Sequence, residues 1–211
     1  MIVQQIKSGG DRNFSYLIGC SKKMTAVLID PSPDPERCER AAIEGNFTLS
    51  HIINTHSHMD HTSGNSYFLN KNIPLITHPD GNGDIKVTHQ DSLTIGSSVK
   101  LTFHHTPGHT HDSICIEAAG HLFTGDTLFV GKVGGTYSRE DAILECESLA
   151  KLMQLPSQTI VWPGHDYGIS PHSTIEKELQ SNPFVQRLHN FDSFFWLKQN
   201  WAEYKMKHGI Q

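Results

Sequence analysis

The stretch NTHSHMDHTSG, residues 54–64, places three histidines and one aspartate within six consecutive positions, His56, His58, Asp60 and His61. Side chains two residues apart point in nearly opposite directions on a helix, whereas in an extended or turning segment they can face one point. We therefore predict a strand-to-loop element, with the apolar run HIIN as its strand. Imidazole and carboxylate groups suit zinc, iron and manganese, so the cluster predicts part of a metal site.

Three further residues of metal-ligand type each follow a predicted strand and a turn. The segment LTFHHTPGHT contains His109, HLFTGDT contains Asp126, and IVWPGHD contains His165. Strand ends at one edge of a sheet are rigid platforms for a site, and adjacent glycines let the backbone turn sharply there. Each residue alone is typical of an ordinary turn, but together with the cluster they predict one metal site. His105 and His111 are close enough in sequence to be candidate outer hydrogen-bond partners.

Composition restricts the classes of partner. The chain has 211 residues, a formal net charge of -5 and no run of basic residues, which argues against nucleic-acid binding. Its N-terminus does not resemble a signal peptide, and no apolar run is long enough to span a membrane, so we expect a cytoplasmic protein without membrane contact. The four cysteines are scattered, which predicts buried core residues rather than disulfides.

Short strands rich in β-branched residues alternate with helical segments along the chain. The helical candidates are residues 34–46, 62–72, 138–156 and 173–182, followed by an aromatic helical tail from about residue 184. Hairpin runs mixed with helices predict an α/β arrangement, with strands packed on strands and helices outside. We expect a single domain over residues 1–211, with the tail covering the core; a dimer face and a pocket wall are the alternatives for the tail.

The motifs Thr-His-x-His-x-Asp-His, TPGHT, FTGD and PGHD, in this order, resemble the metallo-β-lactamase superfamily from about Phe14 to Pro183. The resemblance implies an αββα sandwich, with two mixed β-sheets and helices on both outer faces. It also implies two divalent metal ions, with zinc as the first choice and iron or manganese as alternatives. By position in the motifs, the implied ligands are His56, His58 and His109 for one metal and Asp60, His61 and His165 for the other, with Asp126 bridging and Asp30 as an outer partner.

Within that superfamily the chain is most similar to the hydroxyacylglutathione hydrolases, or glyoxalase II enzymes. This similarity implies hydrolysis of an acyl thioester such as S-D-lactoylglutathione by a hydroxide that bridges the metals. Asp60 and Asp126, with that hydroxide, would be the catalytic groups. Tyr137, Tyr167 and Lys132 would bind the substrate.

The sequence departs from the glyoxalase II pattern at the substrate site. Gly135 stands where that family has a glutathione-binding base, and the chain ends about 46 residues beyond His165. Lys132 is a nearby substitute, and Arg187, Lys198 and Lys205 are stand-ins in the tail. The departure leaves open whether glutathione or another thioester carrier is bound.

Two alternatives from other functional classes remain open. A persulfide dioxygenase of the same superfamily would use a single iron held by His56, His109 and Asp126, with glutathione persulfide as substrate. A non-catalytic, metal-dependent receptor for a small molecule is the second alternative. The sequence does not decide between a monomer and a homodimer.

Overall fold

The computed structural model describes residues 1–210. Its strands, in chain order, are β1 (Ile2–Gly9), β2 (Asn13–Cys20), β3 (Thr25–Ile29), β4 (Thr48–Ile53), β5 (Leu75–Thr77), β6 (Ile85–Lys86), β7 (Ser92–Ile95), β8 (Val99–His105), β9 (Ile114–Ala118), β10 (His121–Gly125), β11 (Leu128–Phe129), β12 (Lys132–Val133), β13 (Ile160–Pro163) and β14 (Ser173–Thr174). The helices are α1 (Pro35–Glu44), α2 (Met59–Thr62), α3 (Asn65–Leu69), α4 (Arg139–Leu152), α5 (Ile175–Ser181), α6 (Phe191–Gln199) and α7 (Trp201–His208), with a 3-10 turn at Val185–Arg187.

The strands form two mixed sheets. The first has the order β1-β2-β3-β4-β5-β6, antiparallel up to β3 and parallel from β3 onward. The second has the order β14-β13-β10-β9-β8-β7, in which only the β10–β13 pair is parallel. Strands β11 and β12 pair as a separate hairpin.

The alternation of side chains along buried strands produces the layers. Along β2, Phe14, Tyr16 and Ile18 pack in the core between the two sheets, whereas Leu17 packs on the opposite face against α1 and α3. In the second sheet, Phe123 belongs to the core between the sheets, while neighbouring residues face α4, α5 and α6. The resulting order of helices, sheet, sheet and helices confirms the αββα sandwich.

Local capping explains where the predicted helices begin. Asp34 caps α1 and is followed by proline at the first helical position, and Ser138 and Thr174 cap α4 and α5 through their hydroxyl groups. The tail is not one continuous helix as the sequence suggested. Asn190 caps α6, and Asn200 ends α6 and begins α7, which divides the tail into shorter pieces.

The tail packs on the outer face of the second sheet. Phe194 and Leu197 are fully buried there, and Trp201 and Tyr204 pack partly against the same group of core residues. This packing agrees with the interpretation of the tail as core cover. The single domain over residues 1–211 stays a prediction.

The edge strand β1 is absent from the sequence-based prediction. Its residues are mostly exposed or half-buried, so it lacks the apolar run that marks the central strands. The four cysteines are free and buried, as predicted. Within residues 1–210, no helix combines the length and the apolar character that a membrane span requires.

Candidate metal centre

The seven predicted ligands meet at one edge of the sandwich. His56, His58, Asp60 and His61 follow β4, and the other three follow β8, β10 and β13. Their ligand-type atoms form three overlapping groups whose members lie within 4.8 Å of one another. The prediction that these strand ends converge is therefore realised in the fold.

One set of three histidines, the first half-site, consists of His56, His58 and His109. The Nε2 atoms of His56 and His109 each lie 3.0 Å from Nδ1 of His58. On its outer side, His109 Nδ1 donates to the carbonyl of Gly135 at 2.8 Å, and His56 Nδ1 lies 3.0 Å from the hydroxyl of Thr55. These outer contacts leave the inner nitrogens of His56 and His109 as acceptors.

The second half-site consists of Asp60, His61 and His165. The Nε2 atoms of the two histidines are 3.2 Å apart. Oδ2 of Asp60 lies 3.5 Å from Nε2 of His61 and 3.3 Å from Nε2 of His165. Outside this set, His165 Nδ1 donates to the carbonyl of Asp11 at 2.8 Å, and His61 Nδ1 donates to Asp30 at 2.9 Å. Nε2 of both imidazoles therefore faces the inside of the centre, where a bound cation would take the place of any proton on it.

Asp126 lies between the half-sites. Its Oδ2 is 3.6 Å from Nε2 of His109 and 3.3 Å from Nε2 of His165, and its Oδ1 is 3.4 Å from Nε2 of His61. In the part of the chain that the structure describes, Oδ1 is buried and has no hydrogen-bond partner. A carboxylate in this position can bridge two cations.

The donor set fits divalent metal ions. Inner imidazole nitrogens face one another at 3.0 to 3.2 Å. Outer hydrogen bonds already engage Nδ1 of four of the five rings, those of His56, His61, His109 and His165. Facing lone pairs and a buried carboxylate oxygen without a donor are unfavourable unless a cation lies between them. Nitrogen and oxygen donors of this kind suit zinc, iron and manganese.

Asp30, which the family resemblance implied as an outer partner, contacts the centre from behind. It is 2% exposed and adopts a positive φ of 46°, which is unusual for a residue other than glycine. Its Oδ1 accepts the backbone N–H of Thr55 at 2.8 Å, and its Oδ2 accepts the Thr55 hydroxyl at 2.6 Å and Nδ1 of His61 at 2.9 Å. One carboxylate thus fixes His61 directly and orients the hydroxyl next to His56.

Burial and the neighbouring carboxylates determine the electrostatics of the centre. Burial alone would lower the pKa of His61, but the carboxylates of Asp126 and Asp30 raise it to about 9. Burial, together with neighbouring His61, lowers the pKa of His56 well below its ordinary value. Burial would raise the pKa of Asp126, yet His61 and His165 hold it well below its usual range. A cation bound at this centre would therefore displace a proton from His61.

The predicted substrate-binding residues lie on two sides of the centre. The ring of Tyr167 stacks on His165, with centroids 4.6 Å apart and planes inclined by 6°. Lys132 Nζ lies 4.5 Å from the centroid of the same ring. Tyr137 is 83% exposed and lines a cavity of about 410 Å³ together with His109. Their roles in binding stay predictions.

The departure at Gly135 coincides with a cavity of about 430 Å³ between the β12–α4 loop and the tail. A Cβ atom at Gly135 would meet nothing within 4 Å. Among the suggested stand-ins, Lys198 borders this cavity, but its ammonium group contacts buried Glu145 and donates to the carbonyl of Gly134 at 2.7 Å. Lys198 therefore serves the fold rather than a substrate carboxylate.

Other outer partners of the centre carry no recognisable local signal in the sequence. They are Asp11, which contacts His165 through its backbone carbonyl, and Asn13, which contacts Asp60 through its side-chain amide, both from a distant segment. Thr55, in contrast, lies within the Thr-His-x-His motif and contacts the neighbouring His56. The candidates His105 and His111 instead bond to each other, since His105 Nε2 donates to the carbonyl of His111 at 2.8 Å. Neither makes a hydrogen bond or ion pair with the seven ligands within residues 1–210.

Comparisons with known proteins agree with this geometry. The family model of the metallo-beta-lactamase superfamily matches residues 8–83 and 74–165. A hydroxyacylglutathione hydrolase of Polaromonas sp. is 36% identical over 178 residues, covering 79% of this chain and 67% of the relative. A probable hydroxyacylglutathione hydrolase of Schizosaccharomyces pombe is 33% identical, covering 82% and 71%. The crystal structure of ETHE1 from Myxococcus xanthus superposes with a TM-score of 0.87 at 31% identity, covering 95% of this chain and 91% of that one.

The match to the family model extends over most of the chain and includes all seven ligands. The named relatives favour an enzyme over a non-catalytic receptor. The chain therefore belongs to the metallo-beta-lactamase superfamily, as an enzyme similar to the hydroxyacylglutathione hydrolases.

Proposed function

We propose that this enzyme is a metal-dependent thioesterase that cleaves S-D-lactoylglutathione or a related acyl thioester. The observation that carries the proposal is the pair of half-sites with Asp126 between them, since two adjacent cations suit hydrolysis. The choice of thioester rests on the relatives named hydroxyacylglutathione hydrolase.

The half-sites would hold two divalent ions, zinc in the first instance and iron or manganese as alternatives. Bound there, such ions supply a water of lowered pKa as the nucleophile and polarise the thioester carbonyl. The chain contributes the preorganisation, because the outer hydrogen bonds of His56, His61, His109 and His165 fix each ring and its proton.

The two catalytic carboxylates have different surroundings. The side chain of Asp126 is 11% exposed and joins the half-sites, which suits a bridging ligand. The side chain of Asp60 is 42% exposed, so it faces the open side of the centre. In that position Asp60 can orient the attacking water and hold its proton.

Binding of an anionic carrier is supported by the surroundings of Tyr167. Lys132 Nζ and Arg12 Cζ lie 4.5 and 4.7 Å from the centroid of that ring, next to the second half-site. Two cations beside an aromatic surface suit a carrier with carboxylate groups, such as glutathione. Tyr137, on the side of the first half-site, would contact the acyl part or the carrier.

The remaining properties belong to the same proposal. The partner is a small molecule rather than nucleic acid or membrane, and the enzyme acts as a monomer or homodimer of one domain. A cytoplasmic location is supported by a relative from Arabidopsis thaliana, 28% identical, whose name describes a cytoplasmic hydroxyacylglutathione hydrolase.

A persulfide dioxygenase with one iron on His56, His109 and Asp126 is the second candidate. The extensive structural similarity to ETHE1 favours this alternative. The two candidates differ in the number of metals and in the need for oxygen.

The experiment that tests the proposal measures metal content per chain on purified protein, then assays two reactions on the same sample. Nearly two metals per chain, anaerobic cleavage of S-D-lactoylglutathione and no oxygen uptake with glutathione persulfide are the expected results. One iron per chain with persulfide-dependent oxygen uptake would replace the thioesterase by the dioxygenase.

A further inference from the structure

The β1–β2 turn, taken here as residues 10–12 together with Asn13 at the start of β2, lies directly against the second half-site. Nδ2 of Asn13, which is 1% exposed, donates to Oδ2 of Asp60 at 2.9 Å. Two residues earlier, the carbonyl of Asp11 accepts Nδ1 of His165 at 2.8 Å. One turn therefore contacts two of the three ligands of that half-site from outside.

The turn is fastened to the loop that carries His165. The backbone N–H of Asp166 donates to the carbonyl of Arg12 at 2.9 Å, and that of Phe14 donates to the carbonyl of Gly164 at 2.8 Å. The Tyr167 hydroxyl donates to Oδ2 of Asp11 at 2.5 Å. These hydrogen bonds on both sides of His165 hold the turn and the loop that carries His165 in a fixed relative position.

The position of Asn13 is fixed by close packing. Gly10 has a φ of +55°, and a Cβ atom on it would lie 2.5 Å from Oδ1 of Asn13. That oxygen is buried without a hydrogen-bond partner in the described part of the chain. The side-chain amide is thus held where its nitrogen donates to Asp60, at 2.9 Å to the carboxylate and at 3.5 Å to the backbone carbonyl.

The first half-site has separate supports. His56 contacts Thr55, and His109 donates to the carbonyl of Gly135, so neither relies on the β1–β2 turn. Asp60, in contrast, lies on the four-residue helix α2 with a side chain that is 42% exposed. Its carboxylate needs an outer donor to keep one orientation, because a partly exposed side chain on a one-turn helix is little restrained by packing.

We propose that the β1–β2 turn, acting through Asn13, is the positioning element that completes the second half-site and so decides whether the centre holds one metal or two. The inference rests on the proposed two-metal function. Loss of an outer partner typically weakens metal affinity about 10- to 100-fold. The loss is expected at the second half-site alone.

The test uses the full chain and the isosteric variant Asn13→Asp, which replaces the donor by a carboxylate oxygen facing Asp60. Asn13→Ala removes the donor without adding charge, so the effect of repulsion is separated from that of the lost bond. The matched control is Asn182→Asp. Nδ2 of Asn182, a fully buried residue, donates to Oε2 of Glu178 at 2.8 Å, so the same amide-to-carboxylate contact is changed away from the ligands.

Each protein is loaded with zinc, dialysed against a buffer of fixed free zinc and analysed for metal per chain, with the melting temperature measured in parallel. We expect nearly two zinc ions in the wild type and the control, and nearly one in both Asn13 variants at the same free zinc. Higher zinc should restore the second ion in Asn13→Ala. In a His165→Ala background, Asn13→Asp should cause no further loss, because both changes act on one half-site.

Two results would overturn the inference. Two zinc ions retained in both Asn13 variants at limiting zinc would leave the thioesterase proposal intact and remove the role of the turn. A wild type that binds only one divalent ion at saturating zinc would instead remove the two-metal centre itself.

Discussion

Replacing Lys198 by methionine should destabilise the protein strongly, because this residue carries a buried charge pair between α6 and α4. The Lys198 side chain is 8% exposed and that of its partner Glu145 is 0% exposed. Lys198 Nζ also donates to the carbonyl of Gly134 at 2.7 Å. A surface pair between the same two helices, Arg139 and Asp192 at 3.0 Å, provides a matched comparison.

The magnitude follows from what the substitution leaves behind. Oε1 of Glu145 already has no hydrogen-bond partner within residues 1–210, so Lys198→Met would leave both carboxylate oxygens without a donor. Removing one partner of a buried pair costs about 3–5 kcal/mol of unfolding free energy, a large part of a typical total of about 5–15. Asp192→Asn removes an exposed partner and should cost less than about 1 kcal/mol.

The cost should also depend on pH. Burial raises the pKa of Glu145 to about 7, with the Lys198 ammonium opposing this shift. A carboxyl whose pKa is higher in the folded state stabilises the fold below its ordinary value near 4.5, and this contribution is lost as pH rises through the folded value. Without the Lys198 ammonium group, the Glu145 carboxyl stays neutral to higher pH in the folded protein. Lys198→Met should therefore lower the free energy of unfolding more at pH 8 than at pH 5.

Urea unfolding at both pH values, followed by fluorescence, measures these differences. The double variant Glu145→Leu with Lys198→Met replaces the pair by apolar groups and should recover most of the lost stability. If the unfolding free energy of Lys198→Met at pH 8 were within about 1 kcal/mol of the wild-type value, Glu145 would not be a buried charge that depends on Lys198.

Three changes at the centre have separate expected outcomes. Asp126→Ala should leave fewer than one metal per chain by elemental analysis, because Asp126 contacts both His109 and His165; retention of two metals would contradict its bridging position. Tyr167→Phe should raise the KM for S-D-lactoylglutathione several-fold with little change in kcat, and an unchanged KM would remove Tyr167 from substrate binding. Gly135→Arg should lower the same KM, since a side chain there enters open space; a higher KM would show that the carrier lies elsewhere.

The convergence of the candidate metal ligands could be predicted from sequence because their signals are local. His56, His58, Asp60 and His61 share one short segment, and the remaining ligands each follow a strand and a sharp turn. Strand ends of a sandwich meet at one edge, so local patterns and the fold class together determine their convergence. No structural knowledge beyond the order of elements is required for that step.

Apart from Asp30, which the family resemblance implied, the supports of those ligands could not be predicted in the same way. Asn13 reaches Asp60 across 47 positions of sequence, and Lys198 reaches Glu145 across 53. An asparagine after a turn and a lysine in a helix are ordinary in sequence, because their importance arises only from burial and from the partner that the fold provides. The exposed edge strand β1 escaped prediction for a related reason, since it contributes few residues to the core.

The two half-sites have different outer supports. The carbonyl of Gly135 orients His109, and the adjacent Gly134 carbonyl is held by Lys198 from the tail, so the first half-site depends on the packing of α6. The second half-site depends on the first hairpin, through Asn13. Because the two supports lie at opposite ends of the chain, a change in either can alter one metal position while leaving the other ligands in place.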